Sequence, residues 1–173
     1  MAAFTALTLA LRAVPAPPVM HGMFRLVAFP IILSGFVLGP RAGFWVGAVS
    51  DVLGYIMFPT GPFFPGFTIT QALTGYIPAA AAGAAPYAFK RVLLGTACGQ
   101  LITNCLLVPL FLCILYVPEQ GYAAGWAALA AASIPAQLLH IPLYAWLTVC
   151  VLRHLPAAEP QCTAVFEAEP DKL

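Results

Sequence analysis

A few polar side chains sit alone inside long apolar runs of this chain: Ser50 with Asp51, Asn104, Gln137 and His140. Ser50, Asp51 and His140 are the residue types of a serine hydrolase, which needs a nucleophile within reach of a base that a third group orients. The surrounding sequence does not supply that chemistry. No GxSxG elbow frames a serine, Ser34-Gly35 lacks the context of an intramembrane serine protease, and Asp51 is the only acid in any expected span. HExxH and P-loop motifs are absent, so the chain by itself is expected neither to cleave with zinc nor to hydrolyse ATP. Four of the five cysteines (Cys98, Cys105, Cys113, Cys150) lie in apolar runs without a CxxC or Cys/His pattern, which reads as packing rather than metal binding. No catalytic residue, metal or cofactor is expected. Ligand binding asks for less: an apolar concavity with a few placed polar groups. Asn104, Gln137 and His140 are suitable groups, and Gln137 and His140, three apart, share a helix face. The loop PTGPFFPG brings Phe63 and Phe64, stiffened by prolines at 59, 62 and 65, and so uncharged that it reads as the cover of a cavity.

The elements that position these groups follow from composition. Of 173 residues, 62% are hydrophobic and 8% charged, against about 25% charged in soluble domains. Too few charges remain to cover a water-facing surface. The expected fold is all-α, a polytopic membrane bundle of six helices at roughly 20 residues per crossing. The apolar runs are Ala2–Val14, Phe24–Leu38, Ala42–Phe58, Phe67–Ala85, Val92–Tyr116 and Ile134–Leu155, parted by Gly and Pro pairs that mark turns. Val117–Ser133 reads as a longer loop, in part helical at the interface. The first run is short for a crossing, so either its helix begins at the interface or the true start lies upstream. The first 155 residues form the membrane domain, and 156–173, rich in Pro, Ala and Glu, read as a disordered cytoplasmic tail. A net charge of +1 excludes a nucleic-acid partner, and no basic region precedes the first apolar run as in a signal peptide.

Small residues recur at helical spacing. Ala2, Ala6 and Ala10 form one stripe, Gly43, Gly47, Ser50 and Gly54 a second, and Gly95 and Gly99 a GxxxG. Such stripes let helix backbones approach closely; the alanine stripe fits either a protein interface or an ordinary lipid-facing helix. Asp51 is a functional group or half of an interhelical ion pair, because an unpaired carboxylate in lipid is costly. Arg25 either snorkels to the head groups or holds an anion. Arg41, Lys90, Arg91 and Arg153 fall on the side of the N-terminus and Arg12 and Arg25 on the other, so the positive-inside rule places both termini in the cytoplasm.

The block SGFVLGPRAGFWVGAVSDVLG, followed by FPTGPFFPGFT and QALTG, closely resembles the substrate-binding S component of energy-coupling-factor (ECF) vitamin transporters, nearest its folate-type branch. LITNCLLVPLFLCILY is similar to the branch's fifth helix, with Asn104 at a matching asparagine, and IPAQLLHIP resembles a pattern in its last helix. The resemblance implies a cell-membrane subunit that captures a vitamin, folate in this branch, and topples when docked on a transmembrane scaffold subunit driven by two cytoplasmic ATPases. It implies that Ala2, Ala6 and Ala10 dock the scaffold. The gates would be Pro15–Met23 and the loop of Pro59, Thr60, Gly61, Phe63, Phe64 and Pro65. Phe63, Phe64 and Phe67 would stack the flat pterin ring, Asn104 would read its edge, and Arg25, Gln137 and His140 would complete the site. Two positions depart from the branch: Gln137 stands in place of an arginine, and Val108 in place of a second asparagine. Another vitamin, riboflavin or pantothenate, or a purely structural membrane subunit are the alternatives.

Overall fold

The computed structural model describes residues 1–13, 26–59, 62–83, 88–116 and 121–154. Among them are six helices and no strand: α1 Ala2–Ala13, α2 Ala28–Leu38, α3 Pro40–Met57, α4 Pro65–Ala82, α5 Phe89–Tyr116 and α6 Tyr122–His154. Helix α5 and helix α6, at 28 and 33 residues with mean hydropathies of 2.0 and 1.4, are long and apolar enough to cross a bilayer. Arg25, Thr60, Gly61, the expected Pro15–Met23 gate and the 156–173 tail lie outside the described residues.

The distribution of polarity is that of a membrane protein. Large apolar side chains point outward, with Leu138 72% and Leu94 69% exposed, while Thr8, Ser34, Ser50, Thr96, Thr103 and Thr148 are fully buried. Lipid rewards the outward face, and small hydroxyl-bearing residues inside allow close helix packing. Several hydroxyls donate to their own helix: Thr8 to the Phe4 carbonyl at 2.8 Å and Ser34 to the Ile31 carbonyl at 2.7 Å.

Gly43 and Gly47 of the α3 stripe face α4. A β-carbon on Gly43 would collide with the Gly75 carbonyl, and one on Gly75 with the Gly43 carbonyl, so the two backbones touch with nothing between them. One turn on, Gly47 meets the backbone of Gln71 and Ala72 in the same way. On the other side of α4, the GxxxG of α5 seats Pro78: Gly95 lies under the Pro78 carbonyl and Gly99 against its ring. Pro78, buried inside α4, is thus a packing surface between helices. Ile32, Phe36, Ala79, Val92, Tyr144 and Ala145 fill the core where α2, α4, α5 and α6 meet. Gly39, at φ +94°, lets the chain turn directly from α2 into α3, with Pro40 opening the new helix.

One element differs from the sequence reading. Residues 122–133, expected as a loop in part helical, are helical throughout and form the first three turns of α6, which begins after Gly121 at φ +87°. The run YAAGWAALAAAS is dominated by alanine, the best helix former. Pro135 and Pro142 lie inside the helix without ending it; neighbouring helices and local adjustment make such prolines tolerable in membrane spans.

Candidate functional site

A cavity of about 80 Å³ lies between α2, α4 and α5, lined by Ala28, Phe67, Thr70, Gln71, Thr74, Asn104 and Val108. Phe67, Thr70, Gln71 and Thr74 recur at helical spacing along one face of α4. The Thr70 hydroxyl donates to the Gly66 carbonyl and the Thr74 hydroxyl to the Thr70 carbonyl, both at 2.9 Å. Each hydroxyl has spent its one proton on the helix, so what remains available is acceptor capacity.

Asn104 reaches the cavity from an irregular turn. Residues Leu101–Leu107 of α5 are π-helical, and the Val108 N–H bonds the Thr103 carbonyl five residues back. Pro109, just beyond, brings no N–H of its own. A π-turn widens the helix, and at its end the Leu106 carbonyl accepts from the Trp126 indole of α6 at 3.3 Å. The Asn104 Nδ2 donates to Gln100 Oε1, one turn earlier, and lies 3.4 Å from Thr103 Oγ1.

Aromatic rings close one side. Phe64, Phe67 and Phe111 form a triad of edge-on contacts with centroids 5.4 to 6.3 Å apart. Phe63 does not join it. That ring, 47% exposed, lies against Tyr55 of α3 at 5.1 Å. Phe64 is extended, with φ −130° and ψ +117°, which carries the chain into Pro65 at the first turn of α4.

The polar residues of α6 are buried but stand apart from the cavity lining. His140 stacks in parallel on Tyr144 at 5.3 Å. Gln137 is 8% exposed, with Oε1 lacking a hydrogen-bond partner. Of the sequence-derived site residues, therefore, Phe67 and Asn104 come together in the lining, Phe64 stands behind Phe67, and Phe63, Gln137 and His140 lie elsewhere. Thr70, Gln71, Thr74, Gln100 and Phe111 were not singled out as site residues; the spacing of polar groups in FTITQALTG carried a usable signal for the three on α4.

Asp51 is a structural group. The Arg12 guanidinium from the end of α1 lies 3.3 Å from its Oδ1, and Thr68 donates to its Oδ2 at 2.8 Å. Ala2, Ala6 and Ala10 are all exposed on α1.

The family model for the ECF transporter substrate-specific component matches residues 1–152. The chain belongs to that family. An S component is a transporter subunit and not a class of enzyme, and it is a membrane protein. Among curated proteins, the chain is 38% identical over 86 residues to the folate transporter FolT of Clostridium novyi (strain NT), an alignment spanning half of this chain and half of that relative. Among solved structures, it is similar to FolT crystallised with folic acid, with a TM-score of 0.64 and 24% identity over 87% of this chain and 88% of the other. At that identity the likeness concerns the fold: a helical S-component bundle.

Proposed function

We propose that this S component captures folate at the cavity between α2, α4 and α5. The observation that carries the reading is the pairing there of an aromatic ring, Phe67 held edge-on by Phe64 and Phe111, with the amide of Asn104. A pterin offers a flat ring to the first and a hydrogen-bonding edge to the second. The FolT likenesses support the same ligand.

The cavity holds about 80 Å³, below the roughly 300–1,000 Å³ of pockets that enclose small molecules. Folate entry therefore requires the walls to part. The Phe64–Phe67–Phe111 triad is the movable wall, because Phe64 ends the PTGPFFPG connection while Phe111 belongs to the long helix α5. Arg25 supplies the cation for the glutamate end of folate, with the other gate contributed by Pro15–Met23. Both termini face the cytoplasm. The exposed Ala2, Ala6 and Ala10 form the face that docks a transmembrane scaffold subunit, itself driven by two ATPases.

Uptake of labelled folate into vesicles holding this chain with scaffold and ATPase subunits tests the reading as a whole. ATP-dependent accumulation, competed by unlabelled folate, is expected. Accumulation of riboflavin or pantothenate instead would move the substrate, and accumulation of none would leave a structural subunit.

A further inference from the structure

The hydrogen bonds around Asn104 fix which end of its amide is free. Thr103 Oγ1 donates its only proton to the Gly99 carbonyl at 2.8 Å. Towards Asn104, 3.4 Å away, that oxygen therefore presents lone pairs, and the Asn104 atom facing it is a donor, Nδ2. The same Nδ2 donates to Gln100 Oε1. Both of its protons are thereby committed within the protein, and Oδ1 is the end left for a ligand. Gln100 is 2% exposed, and its own Nε2 has no hydrogen-bond partner. Turning the Gln100 amide over would offer Nε2 to Asn104 and set donor against donor. Leaving a buried N–H unpaired is costly, and the arrangement holds because the acceptor of Gln100 is needed at Asn104.

Thr70 and Thr74 point the same way. Their protons are spent on α4 carbonyls, so the polar atoms they offer beside Asn104 are acceptors as well. We propose that Gln100 is a positioning residue that locks Asn104 with Oδ1 available to substrate, placing that acceptor, beside those of Thr70 and Thr74, at the N3–H donor of its ligand. This rests on the folate reading. On a 2-amino-4-oxopteridine the donors are the ring N3–H and the 2-amino group. In a 2,4-diaminopteridine the 2-amino group is kept and the 4-oxygen is replaced by a donor amino group, but N3 has no proton and turns into an acceptor. The two rings are thus told apart by Oδ1 at N3. The locked amide discriminates between those two rings, because a site built to receive a donor rejects a ring that brings an acceptor there.

The experiment is calorimetric titration of the purified full chain with folate and with its 4-amino-4-deoxy analogue, for wild type, four single variants and one double variant. Wild type is expected to favour folate by at least about ten-fold. Gln100→Met, which keeps the bulk and removes the acceptor, frees the Asn104 amide to turn and lowers that ratio to within about two-fold of parity. Gln100→Glu, which still accepts from Nδ2, restores it. Thr103→Val removes the atom that sets the amide's direction and lowers the ratio too, so the question stays answerable if Gln100→Met does not fold. Asn104→Ala abolishes the preference, and adding Gln100→Met to it changes the ratio no further. A change in packing alone would weaken both ligands together and leave their ratio standing. Wild-type discrimination retained in Gln100→Met, or in Thr103→Val where the former does not fold, overturns the proposal while the folate reading stands. Absence of folate binding by wild type overturns both.

Discussion

Arg12, in the last turn of α1, pairs with Asp51 of α3 across 3.3 Å, and Thr68 of α4 donates to the second carboxylate oxygen at 2.8 Å. Three helices thus meet on one carboxylate that is only 10% exposed. Gly54, one turn beyond Asp51, leaves the space that the arginine fills: a β-carbon there would lie 2.9 Å from Arg12 Cδ and closer still to the guanidinium. The acid in the membrane span is satisfied as a tie between helices.

Breaking that tie on one side strands a charge. Asp51→Ala is expected to lower stability by about 1–3 kcal/mol, since the partly buried Arg12 guanidinium keeps only the backbone carbonyls at positions 50 and 51. Arg12→Met with Asp51→Leu should recover most of the loss. Thermal unfolding in detergent reads both variants, and an Asp51→Ala protein as stable as wild type would show that the pair contributes little.

The approach of Gly43 to Gly75 is a second tie, made of backbone. Gly75→Ala places a methyl against the Gly43 carbonyl, and overpacking of this kind costs about 1–3 kcal/mol. Gly121→Ala adds no collision, because nothing lies within 4 Å, but meets strain from φ +87°. The same unfolding assay should rank Gly75→Ala below wild type, and equal midpoints would contradict the close packing of α3 on α4.

Ala6 is exposed on α1. If the alanine stripe docks a scaffold subunit, Ala6→Leu should abolish ATP-driven uptake while leaving folate affinity within about two-fold of wild type. Uptake that survives the substitution would free this face of that role.

Val108 lines the cavity beside Asn104. Val108→Phe fills space that a ligand ring needs and should weaken folate at least about ten-fold. Unfolding midpoints taken alongside separate this from a packing defect. An unchanged affinity would place the ligand elsewhere.

Much of the scaffold was legible before the structure. Glycine stripes report close approach wherever they occur, and Gly43 and Gly47 do pack on α4, as Gly95 and Gly99 do on Pro78. Asn104 was legible because an amide in an apolar helix needs a partner. The partner of Asp51 was not: Arg12 is far away in sequence and reads by itself as a charge at a membrane edge. Residues 122–133 were misread because Pro135 looks like a boundary, and a membrane span tolerates it inside α6. Phe63 and Phe64 were read as one pair, yet successive side chains of an extended segment diverge, and only Phe64 meets Phe67. Gln137 and His140 do share a buried face; periodicity gives the face but not which neighbour it meets.

Folate capture is tested by titrating the ligand into the purified chain without partner subunits, following heat and, in a variant that keeps Trp126 but replaces Trp45 and Trp146 by Phe, indole fluorescence. That indole is bonded to Leu106, two residues from Asn104, and reports on the π-turn. Saturable folate binding, weakened at least about ten-fold but still measurable in Asn104→Ala and unmatched by riboflavin or pantothenate, is the predicted result. Folded protein that ignores folate, or binds it equally well without Asn104, would contradict the account.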